Sequence, residues 1–525
     1  MYLATANQMR EADRRTIQEI GLPGIVLMEN AAQGAARALL DVWGPAAGLD
    51  VCAFCGRGNN GGDGLAILRI LANQGASTCA YLFCREDELR GDAAVNLAVA
   101  KACGVEVAEI LDEKALAENQ DSMAGHEVYL DALLGTGLNS PVRGVYAKAI
   151  EFLNRLNRPV VAIDIPSGLC ADTGRPLGAA VKADLTVTFG LVKLGLALEP
   201  GEYVGDLACV DISIPPRAWE GLGLNCRLLD DRWVAGLLPG RPASGHKGSF
   251  GHLLLVGGSP GKSGAICLAA AGGIKSGAGL VTAALPSGLN LIAEIKLTAA
   301  MSQPLPETAE GTLALSGLKV LLDLAAHRQA VVLGPGLSTQ AESADLAREV
   351  TAKVQAPLLV DADGLNALAG HLGRIKFASP QAVLTPHPGE AARLLNLSVP
   401  DILADRAAAA RCLAKETGAV AVLKGARTVI AAPGGDLWVN PTGNPLLASG
   451  GSGDVLSGLI GGLLAQGLSA ASAACAGVYA HGLAADLAAR DFGRRGLAAE
   501  ELLDYLPAAF KSLECPEPGR EETPA

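Results

Sequence analysis

Aromatic residues are scarce in this 525-residue chain, at 4%, and charged residues reach only 18%. Basic side chains are in the minority: 42 Lys and Arg stand against 54 Asp and Glu, a formal net charge of -12, and no basic patch concentrates along the sequence. That excludes the electrostatic footprint of a nucleic-acid binder. Anionic ligands are instead expected to be held locally, by backbone amides at helix starts and by single basic side chains. The opening MYLATANQMREADRRT lacks the basic-then-apolar organisation of a secretory signal, and the 12 cysteines are scattered. A reducing, cytoplasmic setting without a disulfide framework is therefore expected. Cys52 and Cys55 form a CxxC, but within the apolar run VCAFC strand geometry sends them to opposite faces, as buried thiols rather than a redox or metal pair.

Unbroken hydrophobic runs are missing too. The one stretch long enough to span a membrane, Val455 to Ala485, is interrupted by Gly458, Gly461, Gly462, Gly467 and Ser469. It reads as two buried helices with a turn near Gln466 to Ser469.

What the chain does have is length, apolar residues at 50% and 65 glycines, enough for two or three domains built on parallel sheets and closely packed helices. Residues 50–220 repeat a short apolar strand, a glycine turn and a helical stretch, as in VCAFC, GRGNNGGDG and LAILRILANQ. This βα alternation predicts an α/β fold, with further strands at Cys79–Phe83, Val128–Leu130, Val160–Ile163 and Leu185–Phe189. After DISIPP (211–216) the pattern loosens, then restarts at HLLLVGG with strands at Val331–Leu333, Leu358–Val360, Val383–Leu384 and Ala419–Leu423. The expected organisation is a first domain over 1–222, a second over 223–512, and a charged, Pro-rich disordered tail over 513–525.

In the first half, GRGNNGGDG (56–64) carries GxGxxG at Gly56, Gly58 and Gly61, with two asparagines and Asp63 packed among the glycines. GxGxxG alone is also compatible with a plain strand-to-helix turn. DALLGTG (131–137) and DIPSG (164–168) each end an apolar strand, so Asp131 and Asp164 stand at the C-terminal edge of the sheet. Each is either an acid/base or cation-binding group or the cap of a following turn. Together with ADTG, these motifs resemble the YjeF-type N-terminal domain of NAD(P)H-hydrate epimerases over most of residues 1–215. The resemblance implies a Rossmann-like doubly wound domain. It implies that Asn59, Asn60, Gly61, Gly62, Asp63, Gly135, Thr136, Gly137, Leu138, Asn139, Ser140, Pro141 and Asp164 hold the hydrated dinucleotide, with Asp164 as the acid/base. It further implies a potassium ion on Asn60, Asp131 and Ser167, a set of hard oxygen donors. Cys170 stands where this family's pattern has aspartate.

In the second half, GGSPGKSGA (257–265) falls one residue short of the GxxxxGK[ST] phosphate loop, because position 256 is Val. A better phosphate site is TGNPLLASGGSGDVLSGLIGG, where Gly450, Gly451 and Gly453 free a run of amides just before a helix. Asp454 is there either a helix cap or a base that accepts a proton from an attacking hydroxyl. VLGPG (332–336), DADGLNAL (361–368), TPHPGE (385–390) and VLKGART (422–428) each sit at a strand end and outline a pocket. His387, between two prolines, is the better ligand contact, whereas His481 is expected to pack on a helix. This half resembles the ribokinase-like ADP- or ATP-dependent NAD(P)H-hydrate dehydratases over about residues 225–510, and a ribokinase-like α/β domain is implied. The resemblance assigns Ala265, Gly336, His387, Pro388, Gly389, Glu390, Ala391, Ala392, Arg393 and Asp454 to the substrate, with Asp454 as the catalytic base. It assigns Lys424, Gly425, Ala426, Arg427, Thr428, Asn444, Ser449, Gly450, Gly451, Ser452 and Gly453 to the nucleotide. Leu446, Leu447 and Ser449 depart from the Gly, Met and Thr of the family pattern.

Taken together, the two resemblances imply an isomerase fused to a lyase that repairs hydrated NADH and NADPH (NADHX and NADPHX). ADP or ATP would be the co-substrate, magnesium would accompany the nucleotide, and the assembly would be homo-oligomeric, a tetramer. The rivals are a small-molecule kinase, a dinucleotide-binding scaffold and a hydride-transfer dehydrogenase.

Overall fold

The computed structural model describes residues 1–374 and 376–514. Among them the chain divides into two compact units, Tyr2–Cys226 and the remainder from Arg227 on. The tail anticipated from residue 513 lies outside the described residues except for Leu513 and Glu514, which end the helix Ala499–Glu514.

The first unit holds seven parallel strands in the spatial order Glu106–Glu109, Ser77–Leu82, Asp50–Cys55, Val128–Ala132, Val160–Ile163, Leu185–Phe189, Asp206–Val210. Numbered by position in the chain this is 3-2-1-4-5-6-7, the doubly wound arrangement expected of the βα grammar. The order reverses between Asp50–Cys55 and Val128–Ala132, and a crevice opens beyond their C-terminal ends. Period-2 alternation gives the sheet two different faces. Val51, Ala53 and Cys55 pack with the helices Gly24–Trp43, Asn59–Asn73 and Gly91–Ala102 in a core of aliphatic and small side chains. Cys52 and Phe54 face the other way, into a core with Tyr81, Phe83, Tyr129 and Phe152. Phe54 stacks on Phe83 and Phe152 with ring centroids 5.4 and 6.0 Å apart. Much of the small aromatic content is thus spent on one sheet face. The two CxxC thiols lie on opposite faces, fully buried, as strand geometry requires.

The second unit has the strand order Met301–Leu305, Leu280–Pro286, His252–Val256, Ala330–Leu333, Leu358–Val360, Ala382–Leu384, Val420–Leu423, again 3-2-1-4-5-6-7 and parallel. An antiparallel pair, Val429–Ala431 and Leu437–Val439, extends it. The apolar stretch from Val455 forms two helices, Ser452–Ala465 and Ala470–Phe492, broken at Gln466–Ser469, and no described helix is long and apolar enough to cross a membrane. Ser452–Ala465 packs on the helix Ser263–Lys275 at a distance only glycine permits. A Cβ on Gly458 would lie 1.8 Å from the Ala269 carbonyl oxygen, and one on Gly272 would lie 2.4 Å from that of Val455. This contact brings the two glycine-rich helix starts to the C-terminal edge of the sheet.

Candidate functional sites

At the reversal point of the first sheet lies a cavity of about 880 Å³, large enough for a dinucleotide-sized ligand. The turn after Asp50–Cys55 forms one wall. Gly56 and Gly61 are required by close approach, since a Cβ on either would sit 1.9 Å from a backbone oxygen, of Leu133 and Gly56 respectively. Gly58 meets no such crowding. It lines the cavity and precedes the helix Asn59–Asn73, whose first amides have no side-chain cap. An uncapped helix start facing a cavity is a ready anion site.

Of the residues expected here, Asn59, Asn60, Asp63, Gly135, Thr136, Gly137, Leu138, Asn139 and Asp164 line the cavity, whereas Gly61, Gly62, Ser140 and Pro141 do not. Asp131 and Ser167 are fully buried and bonded to each other. The Ser167 amide donates to Asp131 Oδ2 at 2.7 Å, and the Leu134 amide donates to Ser167 Oγ at 2.8 Å. Burial pushes Asp131 up to about 6 against these hydrogen bonds. Asn60 donates from Nδ2 to the Leu134 carbonyl at 3.1 Å, while its Oδ1 is buried with no hydrogen-bond partner among the described residues.

Asp164 follows the strand Val160–Ile163 with φ +67°, a backbone conformation costly for a non-glycine residue. Its carboxylate is ion-paired to Lys193, which is 1% exposed at the end of the short strand Val192–Lys193. Lys193 Nζ also donates to Thr188 Oγ1 at 3.0 Å and to the Phe189 carbonyl at 2.9 Å. Asp13, on the helix Ala6–Arg14, lines the same cavity. Sequence reasoning missed Lys193 and Asp13. The signal for the first was a lone lysine in the apolar run FGLVKLGLAL; the second is one charge among several on a polar helix.

In the second unit, the turns after Leu358–Val360, Ala382–Leu384 and Val420–Leu423 converge on the start of Ser452–Ala465. Asp361, 1% exposed, accepts from Lys424 Nζ at 2.9 Å and from Ser457 Oγ at 2.6 Å. Burial works to raise Asp361, but the Lys424 ammonium and the Ser457 hydroxyl outweigh it and leave the carboxyl below its ordinary range. Lys424 Nζ is also 4.0 Å from Glu390 Oε2. Although burial opposes its charge, Asp361 and Glu390 hold its proton more tightly than usual. Lys424, expected beside nucleotide phosphates, is thus the counter-ion of a carboxylate cluster.

Asp454, in the first turn of Ser452–Ala465, caps nothing: the N-cap is Gly451, with no side-chain hydrogen bond. Burial, reinforced by the charge of Asp361, pushes Asp454 up to about 7. His481 is on the helix Ala470–Phe492, as expected, with Nε2 2.9 Å from the Ser452 carbonyl. Burial lowers it to about 4, so the ring is neutral and donates from Nε2, fixing the helix start.

His387 caps the helix Pro388–Leu395, where Nδ1 accepts from the amides of Gly389 at 3.0 Å and Glu390 at 3.4 Å. Burial lowers its proton affinity, which suits an acceptor. Glu390, Ala391 and Ala392 are buried, and Arg393 Nε donates to Asn366 Oδ1 at 3.1 Å. Gly336 and Ala265 adjoin: a Cβ on Gly336 would be 3.1 Å from that of Ala265. In the glycine-rich loop the side chains bind the protein's own groups, on the loop and on the helix Ala470–Phe492. Asn444 Nδ2 donates to Asp486 at 2.9 Å and Ser452 Oγ to the Leu447 carbonyl at 2.8 Å, while Gly450 has open space around it. The Ala426 and Arg427 carbonyls accept from Arg406, and Thr428 donates to the Gly425 carbonyl at 2.9 Å.

The C-terminal part of the chain matches the family described as NAD(P)H-hydrate dehydratase over residues 253–508, and the N-terminal part matches the YjeF-related protein N-terminus over residues 24–195. A crystal structure of the ADP/ATP-dependent NAD(P)H-hydrate dehydratase of Bacillus subtilis aligns at 34% identity and a TM-score of 0.49, over 56% of this chain and all of that one. Two relatives are alike from end to end. The bifunctional NAD(P)H-hydrate repair enzyme Nnr of Moorella thermoacetica is 45% identical, covering 98% of this chain and 97% of that protein. The protein of the same name from Escherichia coli is 36% identical, over 95% and 92%. On this full-length likeness, the chain belongs to the family of bifunctional NAD(P)H-hydrate repair enzymes.

Proposed function

We propose that the two sites divide the repair of hydrated NADH and NADPH: the cavity around Asp164 interconverts the two epimers at the hydrated carbon, and the site around Asp454 dehydrates one of them with ATP or ADP. The observation that carries the second half is the state of Asp454. It is a carboxylate with a proton affinity near neutrality, without a hydrogen bond among the described residues, at an uncapped glycine-rich helix start. Helix amides attract developing phosphate charge, and a carboxylate beside bound phosphate repels it unless it accepts a proton. Asp454 takes the proton of the ring hydroxyl, and the oxygen attacks the terminal phosphorus of the nucleotide. The resulting phosphate ester is a far better leaving group than hydroxide. It departs with the C–O electron pair, and the neighbouring ring carbon loses a proton as the double bond re-forms.

Asp361 and Glu390 are engaged by Lys424, and Asp363 by Lys262 Nζ at 3.0 Å and the Ser338 amide at 2.9 Å. Few carboxylates remain for a divalent ion, so magnesium is best carried by the nucleotide phosphates. In the first unit the unpartnered Asn60 Oδ1, beside Ser167 and Asp131, suits a large monovalent cation such as potassium. Bound there, it would supply positive charge near the anionic substrate and order the GRGNNGGDG turn.

The test offers the purified protein a mixture of hydrated NADH epimers with ATP or ADP and follows NADH and inorganic phosphate. Stoichiometric recovery of both is expected. Accumulation of a stable phosphorylated product would make the protein a small-molecule kinase instead.

A further inference from the structure

We propose that Asp13 is a second acid–base residue of the epimerase cavity, supplying the ring nitrogen of the substrate with a proton while Asp164 takes one from its hydroxyl. The assignment rests on the reading of this cavity as the epimerase site.

Among the carboxylates that line the cavity are Asp13, Asp63 and Asp164, with one buried ammonium, Lys193. An ammonium has three protons. Those of Lys193 go to Asp164, Thr188 Oγ1 and the Phe189 carbonyl, so none remains for Asp13. Arg10, on the same helix, donates to Asn7. Arg57, Glu88 and Asp92 complete the charged lining. Asp164 thus has a directly paired counter-ion, and Asp13 does not. Burial first, then the charge of Asp164, pushes Asp13 up to about 6, where it can both give and reclaim a proton. Asp63, more deeply buried, is pushed well above the ordinary range, by burial first and then by the charge of Asp164.

The chemistry needs such a pair. In the hydrate the hydroxyl-bearing carbon is bonded to the ring nitrogen. When Asp164 removes the hydroxyl proton, the freed electron pair forms a carbonyl and the C–N bond breaks. Its electron pair goes to nitrogen, which takes the proton from Asp13. Rotation about the neighbouring C–C bond presents the other carbonyl face, and the same steps in reverse close the ring with inverted configuration. Asp13 recovers its proton from nitrogen and Asp164 returns the other to oxygen, so nothing is consumed.

Asp13→Asn, assayed on a mixture of hydrated NADH epimers, should lose about 100-fold or more in kcat for interconversion. KM should stay within about threefold, and nucleotide-dependent dehydration by the same chain should be unchanged. Wild-type kcat should fall as pH rises from 6 to 9. The residual activity of Asp13→Asn should lack that decline, and Asp13→Glu should restore at least about a tenth of the rate. Interconversion by Asp13→Asn within threefold of wild type, or an unchanged alkaline decline, would overturn the assignment alone. Should Asp13→Asn not fold, the wild-type profile decides, because a kcat indifferent to pH over this range is incompatible with the proposed acid. An inactive wild type, or an unimpaired Asp164→Asn, removes the epimerase reading and this assignment together.

Discussion

Lys193 and Asp164 form an ion pair in which the ammonium side chain is 2% exposed and the carboxylate 17%. The pair sits beside two further carboxylates, Asp13 and Asp63, that the lysine does not reach with a proton. Lys193 therefore singles out Asp164 as the carboxylate with a paired ammonium, through burial and through three hydrogen bonds that orient it.

Lys193→Met should lower the stability of the first unit by roughly 3–5 kcal/mol at pH 8, because removing one partner leaves a buried charge without compensation. The loss should shrink at pH 5. The charge of Lys193 lowers Asp13, so its removal raises an acid already at about 6, and the added cost is present above that pH and disappears as pH falls toward the unfolded value. Urea melts of the variant and wild type at the two pH values check this. A loss that is equal at both would mean the lysine matters only for packing.

At Asp454 function and stability should move in opposite directions. Asp454→Asn should abolish nucleotide-dependent NADH recovery by 100-fold or more, mainly in kcat, and leave epimer interconversion intact. The same change removes a carboxylate held at about 7 by burial and by Asp361. The folded state binds that proton more tightly than the unfolded one, so the group costs stability above pH 7. Asp454→Asn should raise the stability of the second unit by an amount on the order of 1–3 kcal/mol at pH 8, with no gain at pH 4. Wild-type dehydration should rise with pH through about 7 and then level off. Calorimetry and a pH–rate profile are the two measurements.

The architecture and the strand-end acids were legible in sequence for a shared reason. Strand-end carboxylates punctuated by glycine, such as Asp131 and Asp164, carry their position in the local pattern. Edge strands do not: Glu106–Glu109 and Met301–Leu305 are polar and half-exposed, and the latter contains Pro304, so neither shows the apolar run that marked the central strands. Counter-ions were illegible for a different reason. Lys193 and Asp164 are 29 residues apart, and Lys424 and Asp361 are 63 apart. Their pairing depends on which strands the fold makes neighbours. His387 shows a third case, in which a residue with apparent ligand chemistry spends one ring nitrogen on capping its own helix.

The glycine crossing in the second unit should tolerate no side chain. Gly458→Ala places a methyl group 1.8 Å from the Ala269 carbonyl oxygen, and the helices must separate to accommodate it. A loss of about 1–3 kcal/mol is expected from overpacking, with a fall in dehydration because the Asp454 helix start moves too. Gly450→Ala, which meets no neighbour within 4 Å, is the control and should leave stability nearly unchanged. Equal melting midpoints for the two variants would show that the crossing is plastic.

The last prediction concerns the cation expected at Asn60, Asp131 and Ser167. Asp131 and Ser167 are joined through the Ser167 amide, so Asp131→Ala would disturb the loop whether or not an ion binds. Asn60→Ala is the cleaner variant, because it removes the buried unpartnered Oδ1 at the expense of one hydrogen bond to the Leu134 carbonyl. A buried carbonyl oxygen without a partner costs about 1–3 kcal/mol, which a bound cation would offset. Wild-type stability should therefore rise with potassium or rubidium and not with an equal concentration of tetramethylammonium. Asn60→Ala should lose that dependence, and crystals grown with rubidium should show anomalous density beside Asn60 Oδ1. If the melting midpoint is indifferent to the cation and the density is absent, Asn60 Oδ1 is satisfied by water and potassium has no place in the site.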